Sequence, residues 1–150
     1  MAVRLREIRE NNYLTQREVA KLLKISKTTY NYFETGERII PLKHLNNFCN
    51  NFDVSADYVF HLTDDNVIFD KKAELNKQLI GLRVKEIRIK NNMKQHELAS
   101  IFNTSQSTVS AYENGYTLIL TAFVYALCKE LNISMDYIIG RSNVKNINIK

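Results

Sequence analysis

The side chains that could bind a metal ion or act as nucleophiles are few and scattered in this sequence. His44, His61 and His96 do not stand at metal-ligand spacing from one another or from Cys49 and Cys128. The sequence shows neither a glycine-rich phosphate loop nor a nucleophile motif. We therefore expect that the protein is not an enzyme and that it binds no cofactor and no metal.

Other polar residues, unlike the histidines, recur at a constant spacing because the sequence contains a repeat. Residues 3–63 align with residues 82–142 at a constant offset of 79 positions and without a gap. A repeat of this length predicts two copies of one small folded unit. The identical pairs include amide, acidic, hydroxyl and small residues: Gln16/Gln95, Glu18/Glu97, Ala20/Ala99, Ser26/Ser105, Glu34/Glu113 and Gly36/Gly115.

The spacing of apolar residues in the first repeat predicts five short helices. Thr15 and Glu18 form a capping-box pair, and Ser26 is a suitable N-cap for the third helix. Gly36 is placed to end that helix in a left-handed conformation, and Tyr30 and the aromatic residue one turn on are expected in the core. The predicted helices are one ending near residues 11–12, one of about ten residues after Thr15, one at 27–34, one at about 42–52 and one capped by Ser55.

The second repeat predicts the same five helices, at about 80–90, 95–102, 106–113 and 121–131, with a fifth capped by Ser134. Between the repeats, Asp70 is a candidate N-cap for a helix that continues toward the second repeat, although Gly81 would weaken such a helix. We therefore predict an all-α chain of two tandem five-helix domains, 1–63 and 80–142, joined by a helical linker at 64–79. A polar, frayed tail is predicted at 143–150.

The composition is that of an ordinary globular protein. Hydrophobic residues make up 45% of the chain, and the net charge of +5 suits contact with a polyanion without identifying one. No apolar run approaches the roughly 18 residues of a membrane span, and the start of the chain does not read as a secretory signal. Cys49 and Cys128 occupy equivalent apolar positions, as reduced core cysteines do. We expect a cytoplasmic protein without a membrane partner.

A short helix, a tight turn and a second capped helix form a helix-turn-helix, whose second helix can lie in the DNA major groove. Each repeat resembles the helix-turn-helix family of the lambdoid phage repressors and Cro proteins, the XRE family. The first copy reads Thr15-Gln16-Arg17-Glu18-Val19-Ala20, Lys24-Ile25-Ser26 and Glu34-Thr35-Gly36. The second reads Lys94-Gln95-His96-Glu97-Leu98-Ala99, Asn103-Thr104-Ser105 and Glu113-Asn114-Gly115. Together the two copies cover about 120 of the 150 residues.

The resemblance implies which residues would contact double-stranded DNA. Side chains after the capping serine of the third helix would face base edges, where lysine can donate to guanine and glutamine can pair with adenine. These are Lys27, Thr28, Asn31 and Tyr32 in the first repeat, and Gln106, Ser107, Ser110 and Ala111 in the second. A solvent-exposed helix face is the alternative interpretation of the same residues.

The resemblance also implies phosphate contacts, which position a module without specifying sequence. The glutamine at the start of the second helix would lie at a phosphate, because free amides and the helix dipole favour an anion there. Further contacts would come from residues after the third helix. The phosphate-contacting set is Gln16, Arg38, Lys43, Gln95, Asn114 and Thr117.

The two repeats depart from the family pattern in different ways. Lys24 and Asn103 replace the usual turn glycine, and Lys94 replaces the capping residue of the second helix. The second repeat lacks the cations that follow the third helix of the first. It also carries an apolar run at 118–125, more apolar surface than a unit of about 60 residues can hide, which predicts an interface.

Two classes of function fit these observations. The leading hypothesis is a sequence-specific DNA-binding transcription regulator, a repressor of phage or mobile-element type. In it the first repeat reads DNA, and the second reads a different half-site or has become a dimerisation element. The alternative is an antitoxin-like or other protein-interaction module, in which the apolar surface of the second repeat binds a partner or forms a homodimer.

Overall fold

A computed structural model describes residues 3–147, and over that range the regular secondary structure is helical apart from one isolated β-bridge. The chain forms two compact units, one built on the residues up to Ala73 and the other spanning Glu74–Asn146. The predicted all-α fold with five helices in each repeat is confirmed. The helices of the first unit are α1 (Leu5–Asn11), α2 (Gln16–Leu23), α3 (Lys27–Thr35), α4 (Leu42–Phe52) and α5 (Ala56–Val59). Those of the second are α6 (Lys77–Lys90), α7 (Gln95–Phe102), α8 (Gln106–Glu113), α9 (Thr121–Leu131) and α10 (Met135–Ile138).

Side-chain caps start the helices that the sequence assigned to them. Thr15 Oγ1 accepts from the Glu18 amide, and Glu18 Oε2 accepts from the Thr15 amide at 2.7 Å, which completes the capping box of α2. Ser26 Oγ accepts from the Thr29 amide at 3.0 Å, and Ser105 caps α8 in the same way. At α7 the lysine offers no acceptor, so only the glutamate half of the box remains, with the Lys94 amide donating to Glu97 at 2.6 Å.

Each unit buries one apolar core beneath its third helix. Tyr30 and Phe33 of α3 are buried, as are Val109 and Tyr112 at the equivalent positions of α8. The core expected at these positions is confirmed. The small residues Ala20 and Ala99 are buried in the second helix of each unit. The free cysteines Cys49 and Cys128 are also buried, as their apolar positions in the sequence indicated.

The linker helix that was expected to begin at Asp70 begins only at Lys77. The side chain of Asn76 accepts from the amides of Gln78 and Leu79 at 3.0 and 3.1 Å and caps α6 there. Residues 64–76 have no helical structure. The backbone of Ala73 is instead bound by side chains of α4, so it does not take part in a helix.

Gly81 lies inside α6 and does not interrupt it, contrary to the weakening expected from its helix propensity. A Cβ atom at this position would lie 2.1 Å from the carbonyl oxygen of Tyr112 and 2.9 Å from that of Glu113. Glycine therefore allows α6 to pack directly on the backbone at the end of α8. The favourable packing outweighs the roughly 1 kcal/mol that an interior glycine costs a helix.

The start of the tail is hydrogen-bonded, although it was expected to be frayed. The Ser134 amide donates to the Lys145 carbonyl at 2.9 Å, and Ile133 forms an antiparallel bridge with Asn146. The fraying predicted for 148–150 and the inclusion of residues 1–2 in the first domain lie outside the described residues.

Candidate nucleic-acid interface

In the first unit a left-handed residue makes the turn between α2 and α3. Lys24 adopts φ 57° and ψ 42°, and the next amide, of Ile25, donates to the Ala20 carbonyl at 3.0 Å. Left-handed backbone is uncommon for a residue with a side chain, and Lys24 adopts it with its side chain exposed to solvent. The turn brings Ser26 to the start of α3 and sets the angle between the two helices.

The second unit makes the same turn with a residue better suited to it. Asn103 adopts φ 53° and ψ 49°, and the Thr104 amide donates to the Ala99 carbonyl at 2.9 Å. Asparagine tolerates the left-handed region because its short polar side chain can hydrogen-bond locally. Both replacements of the turn glycine therefore keep the helix-turn-helix geometry.

A buried ion pair anchors the third helix of the first unit to the first helix. The Arg9 guanidinium donates to both carboxylate oxygens of Glu34, and its Nη1 donates to the Leu14 carbonyl at 2.9 Å. Gln16 Nε2 donates to the same carboxylate at 2.8 Å. The Glu34 side chain is only 4% exposed. One carboxylate thus fixes the start of α2 relative to the end of α3.

The second unit repeats this arrangement with Arg88, Glu113 and Gln95. Arg88 donates to both oxygens of Glu113 and to the Met93 carbonyl. Gln95 Nε2 donates to Glu113 at 2.9 Å. The sequence analysis did not predict this pairing of arginine, glutamate and glutamine. The available signal was that Arg9, Gln16 and Glu34 all recur at the 79-residue offset.

Burial and hydrogen bonding act against each other on the Glu34 carboxyl. Its burial disfavours the charged form, but the hydrogen bonds from Arg9 and Gln16 outweigh burial, so the pKa of Glu34 lies below its ordinary value of 4.5. The hydrogen bond with Glu34 in turn raises the pKa of Arg9. Burial, followed by the charge of Glu34, raises the pKa of the neighbouring Tyr30 hydroxyl. The pair is therefore ionised at neutral pH.

The lowered pKa of Glu34 predicts that acid destabilises the first unit. A carboxyl whose pKa is lowered on folding contributes stability that is fully present above its unfolded value of 4.5 and is lost as the pH falls through the folded value. We expect urea midpoints to fall as the pH is lowered below about 4.5, and to fall less steeply in a Glu34→Gln variant. An identical acid-induced loss in both proteins would mean that Glu34 does not contribute to it.

The predicted base-contacting residues of the first unit differ in their exposure and in their contacts with other side chains. Lys27 and Thr28 are exposed at the start of α3. Asn31 is half-buried, and its Oδ1 accepts from Gln16 Nε2 at 2.9 Å. The Arg38 guanidinium lies over the Tyr32 ring, 4.7 Å from its centroid. The structure thus brings Gln16 next to Asn31 and Arg38 next to Tyr32, which links predicted phosphate-contacting residues to predicted base-contacting residues.

The equivalent residues of the second unit form a smaller and uncharged surface. Gln106 and Ser107 are exposed, and Gln106 Nε2 lies 3.5 Å from Gln95 Oε1. Asn114 Nδ2 donates to the carbonyl and the hydroxyl of Ser110. These contacts join a predicted phosphate-contacting residue to a predicted base-contacting residue in this unit also.

The remaining predicted contact residues also differ in type between the two units. Ala111 stands where Tyr32 stands in the first unit, and Thr117 where Arg38 stands, so no stacked cation–aromatic pair forms at these positions. Lys43 and Arg38 are exposed, and Thr117 is exposed without a charge. The first unit therefore offers more cationic groups beside its third helix.

Two other kinds of site find no support in the described part of the chain. No group of three or more histidine, cysteine, aspartate or glutamate side chains within residues 3–147 is arranged to hold a metal ion. Over the same range, none of the helices has the length and apolar character that crossing a membrane requires.

The fold and the paired helices define a class of protein. A helix-turn-helix family model of the Cro/C1 type matches the chain twice, at residues 5–59 and 84–138, and the chain belongs to this family. Among curated proteins, an uncharacterized HTH-type transcriptional regulator of Bacillus subtilis, YobD, is 37% identical over 62 residues, which is 41% of this chain and 55% of that protein. Antitoxin PezA of Streptococcus pneumoniae is 31% identical over 68 residues, 45% of this chain and 43% of that protein.

Both matches are about as long as one repeat, and they span only about half the length of these relatives. No solved structure is significantly similar to the chain. The comparisons therefore establish the family.

Proposed function

We propose that the protein binds double-stranded DNA sequence-specifically and regulates transcription. Both α3 and α8 enter the major groove in this proposal. The observation that carries the proposal occurs in both units. In each, the third helix begins with a capping serine and exposed polar residues, and this end of the helix lies beside the start of the second helix. Free amides and the helix dipole at that start favour a phosphate. The family membership and the name of the Bacillus relative support the same function.

The contacts within the first unit give its proposed DNA-binding residues separate roles. Lys27 and Thr28 are free to meet base edges, where lysine donates to guanine O6 and N7. Because the Asn31 oxygen accepts from Gln16, its NH2 group is oriented to donate to a base acceptor. Arg38, held over Tyr32, would neutralise a phosphate at the far end of α3.

The second unit is proposed to read a different half-site and to bind it more weakly. Gln106 can pair with adenine N6 and N7, and Ser107 can hydrogen-bond to a base edge. The surface beside α8 lacks the counterpart of Arg38. Since every proposed base-contacting position differs between the repeats, we expect a site without two-fold sequence symmetry.

Binding is tested with duplexes taken from upstream of the chain's own reading frame. We expect the affinity to fall steeply with salt, since each neutralised phosphate adds about −0.9 to the slope of log K against log salt. Binding no tighter than that of random duplex at low salt would contradict the proposal.

Variants of the third helices show which unit reads bases. We expect Lys27→Ala with Thr28→Ala to weaken specific binding by about tenfold or more, since each good base contact is worth about 1–3 kcal/mol of discrimination. Gln106→Ala with Ser107→Ala should weaken it less. Lys21→Ala, at an exposed position of α2, is the matched charge control. If the first pair changed nothing, α3 would not be the reading helix.

A second candidate function is supported by exposed apolar residues of the second unit. Leu82, Ile89, Tyr116 and Leu120 are each at least half exposed, and such surface favours a protein partner or a second copy of this chain. Similarity to a relative named as an antitoxin fits the same candidate. Sedimentation of the wild-type chain and of Leu120→Glu tests self-association. A dimer that the substitution dissociates supports the homodimer, and a monomer at all concentrations contradicts the homodimer.

A further inference from the structure

The chain that follows α5 does not leave the first unit at once. Asn66 Oδ1 accepts from the Ser55 amide at 2.9 Å, and Asn66 Nδ2 donates to the Asp53 carbonyl at 3.1 Å. Asp64 also contacts Arg4, and we call residues 66–73, which come after that contact, the strap. Its first attachment is therefore at Asn66, beside the start of α5.

A second attachment lies seven residues further on, at Ala73. The Nδ2 atoms of Asn46 and Asn50 both donate to the Ala73 carbonyl at 2.8 Å, and the Ala73 amide donates to Asn50 Oδ1 at 3.3 Å. The two asparagines stand one turn apart on α4 and so present their side chains on one face. Asn46 is only 5% exposed. We call this three-bond contact the clasp.

The first attachment has a counterpart in the second unit, but the clasp does not. Ser134 and Lys145 are the positions equivalent to Ser55 and Asn66, and the Ser134 amide donates to the Lys145 carbonyl. At the positions of Asn46 and Asn50, α9 carries Tyr125 and Lys129. The attachment beside the fifth helix is thus common to both repeats, whereas the asparagine pair is present in α4 and is replaced in α9.

The clasp shortens the chain that is free to join the two units. Between Ala73 and the first residue of α6, Lys77, stand only Glu74, Leu75 and Asn76. Four Cα–Cα steps reach at most about 14 Å, whereas the eleven steps from Asn66 to Lys77 would reach about 38 Å if the clasp were open. The length of a tether sets the effective concentration of a second binding module, and a span beyond its reach cannot be bridged.

We propose that the clasp formed by Asn46 and Asn50 is a specificity element that sets which spacing of two half-sites the chain can bind at once. The inference rests on the proposed function, because it requires both units to contact DNA. A short tether favours one spacing and face of the duplex, and a long tether tolerates many. The ligand is therefore a duplex with two unlike half-sites at one fixed separation.

Paired insertions test the proposal in the full chain. Six Gly/Ser residues inserted after Ala73 lengthen the tether, whereas the same six inserted between Val67 and Ile68 lie ahead of the clasp and leave the tether unchanged. Both Val67 and Ile68 are exposed, so the control insertion disturbs no core. Each protein is titrated with duplexes whose half-sites, defined by footprinting, are moved apart one base pair at a time.

We expect the wild type and the 67/68 insertion to lose about tenfold or more in affinity when the spacing changes by half a helical turn. The insertion after Ala73 should lose less than about threefold over the same range, because a longer tether bridges more spacings. An equal broadening by both insertions would show that the clasp does not hold, and no broadening by either would show that it does not set the spacing.

Opening of the clasp has its own readout, independent of DNA. In an Asn46→Ala, Asn50→Ala variant, we expect faster hydrogen exchange at the Ala73 amide and faster tryptic cleavage after the exposed Lys71 and Lys72. Unchanged exchange and cleavage would overturn the clasp itself. If the strap opens but no protein binds DNA above random duplex, the proposed function fails and the clasp stands only as a structural contact.

Discussion

Replacing Gly81 by alanine should unfold the second unit while the first remains folded. The added Cβ would lie 2.1 Å from the Tyr112 carbonyl oxygen, which belongs to backbone and cannot rotate away. Overpacking a core costs about 1–3 kcal/mol, and a clash with backbone lies at or above the upper end of that range. A unit of about 70 residues has only roughly 4–10 kcal/mol of stability, so a loss of about 3 kcal/mol or more would leave the second unit marginally stable or unfolded.

The measurement is a two-dimensional amide NMR spectrum with a urea titration. We expect resonances from residues 77–146 to collapse or to unfold at much lower urea than in wild type, with those of the first unit retained. Leu82→Ala is the matched control, since this neighbour on α6 is 50% exposed. A Gly81→Ala protein as stable as Leu82→Ala would show that α6 does not pack on the end of α8 as described.

Removing the carboxylate of Glu34 should be the most damaging substitution in the first unit. Glu34→Ala takes the buried partner from the Arg9 guanidinium, which is 11% exposed, and leaves it the more distant and exposed Glu10 carboxylate at 3.8 Å. It also removes one of the two acceptors of the Gln16 side-chain amide, the other being Asn31 Oδ1. Breaking a buried pair from one side costs about 3 kcal/mol at the lower end of the measured range, because an uncompensated charge stays buried. We also expect weaker DNA binding at temperatures where the variant is still folded, since Gln16 would be held by one side-chain hydrogen bond where it now has two.

A double variant distinguishes the stability lost through an unpaired buried charge from the stability lost through poorer packing. Arg9→Met with Glu34→Leu removes both charges, and such replacements are often neutral or stabilising. We therefore expect it to recover much of the stability lost in Glu34→Ala, as measured by urea unfolding. A double variant as unstable as the single one would contradict the account, and Glu113→Ala should reproduce the loss in the second unit.

The helices and their caps could be predicted because their signals are local. Ser26, Ser105 and Gly36 act on amides or on their own backbone within a few residues. The bounds of α7, α8 and α9 agree with those predicted. The repeat strengthened these assignments, since Ser26/Ser105 and Gly36/Gly115 occur in both copies.

The features that were missed depend on distant partners. Asp70 looked like a cap, but Asn46 and Asn50 bind the backbone three residues on and keep it out of a helix. The helix propensity of Gly81 predicted a weakened helix, but the carbonyl groups at the end of α8 lie so close that no Cβ atom fits there. Such contacts join residues more than 20 positions apart, and no local pattern reports them.

The candidate site also has some features that the sequence could predict and others that depend on distant contacts. The residue types of α3 and α8 could be read from the sequence together with the family resemblance. That Gln16 orients Asn31, and that Arg38 covers Tyr32, required the folded chain. The DNA contacts of these residues stay predictions.

The central claim is that two unlike helix-turn-helix units of one chain read DNA, and hydroxyl-radical footprinting on the native upstream region tests it most directly. The account predicts two protected segments of different sequence. The stronger one should be lost in Lys27→Ala with Thr28→Ala, and the weaker one in Gln106→Ala with Ser107→Ala. Protection of a single segment that only the first pair of substitutions abolishes would contradict reading by both units, and no protection at low salt would contradict the claim as a whole.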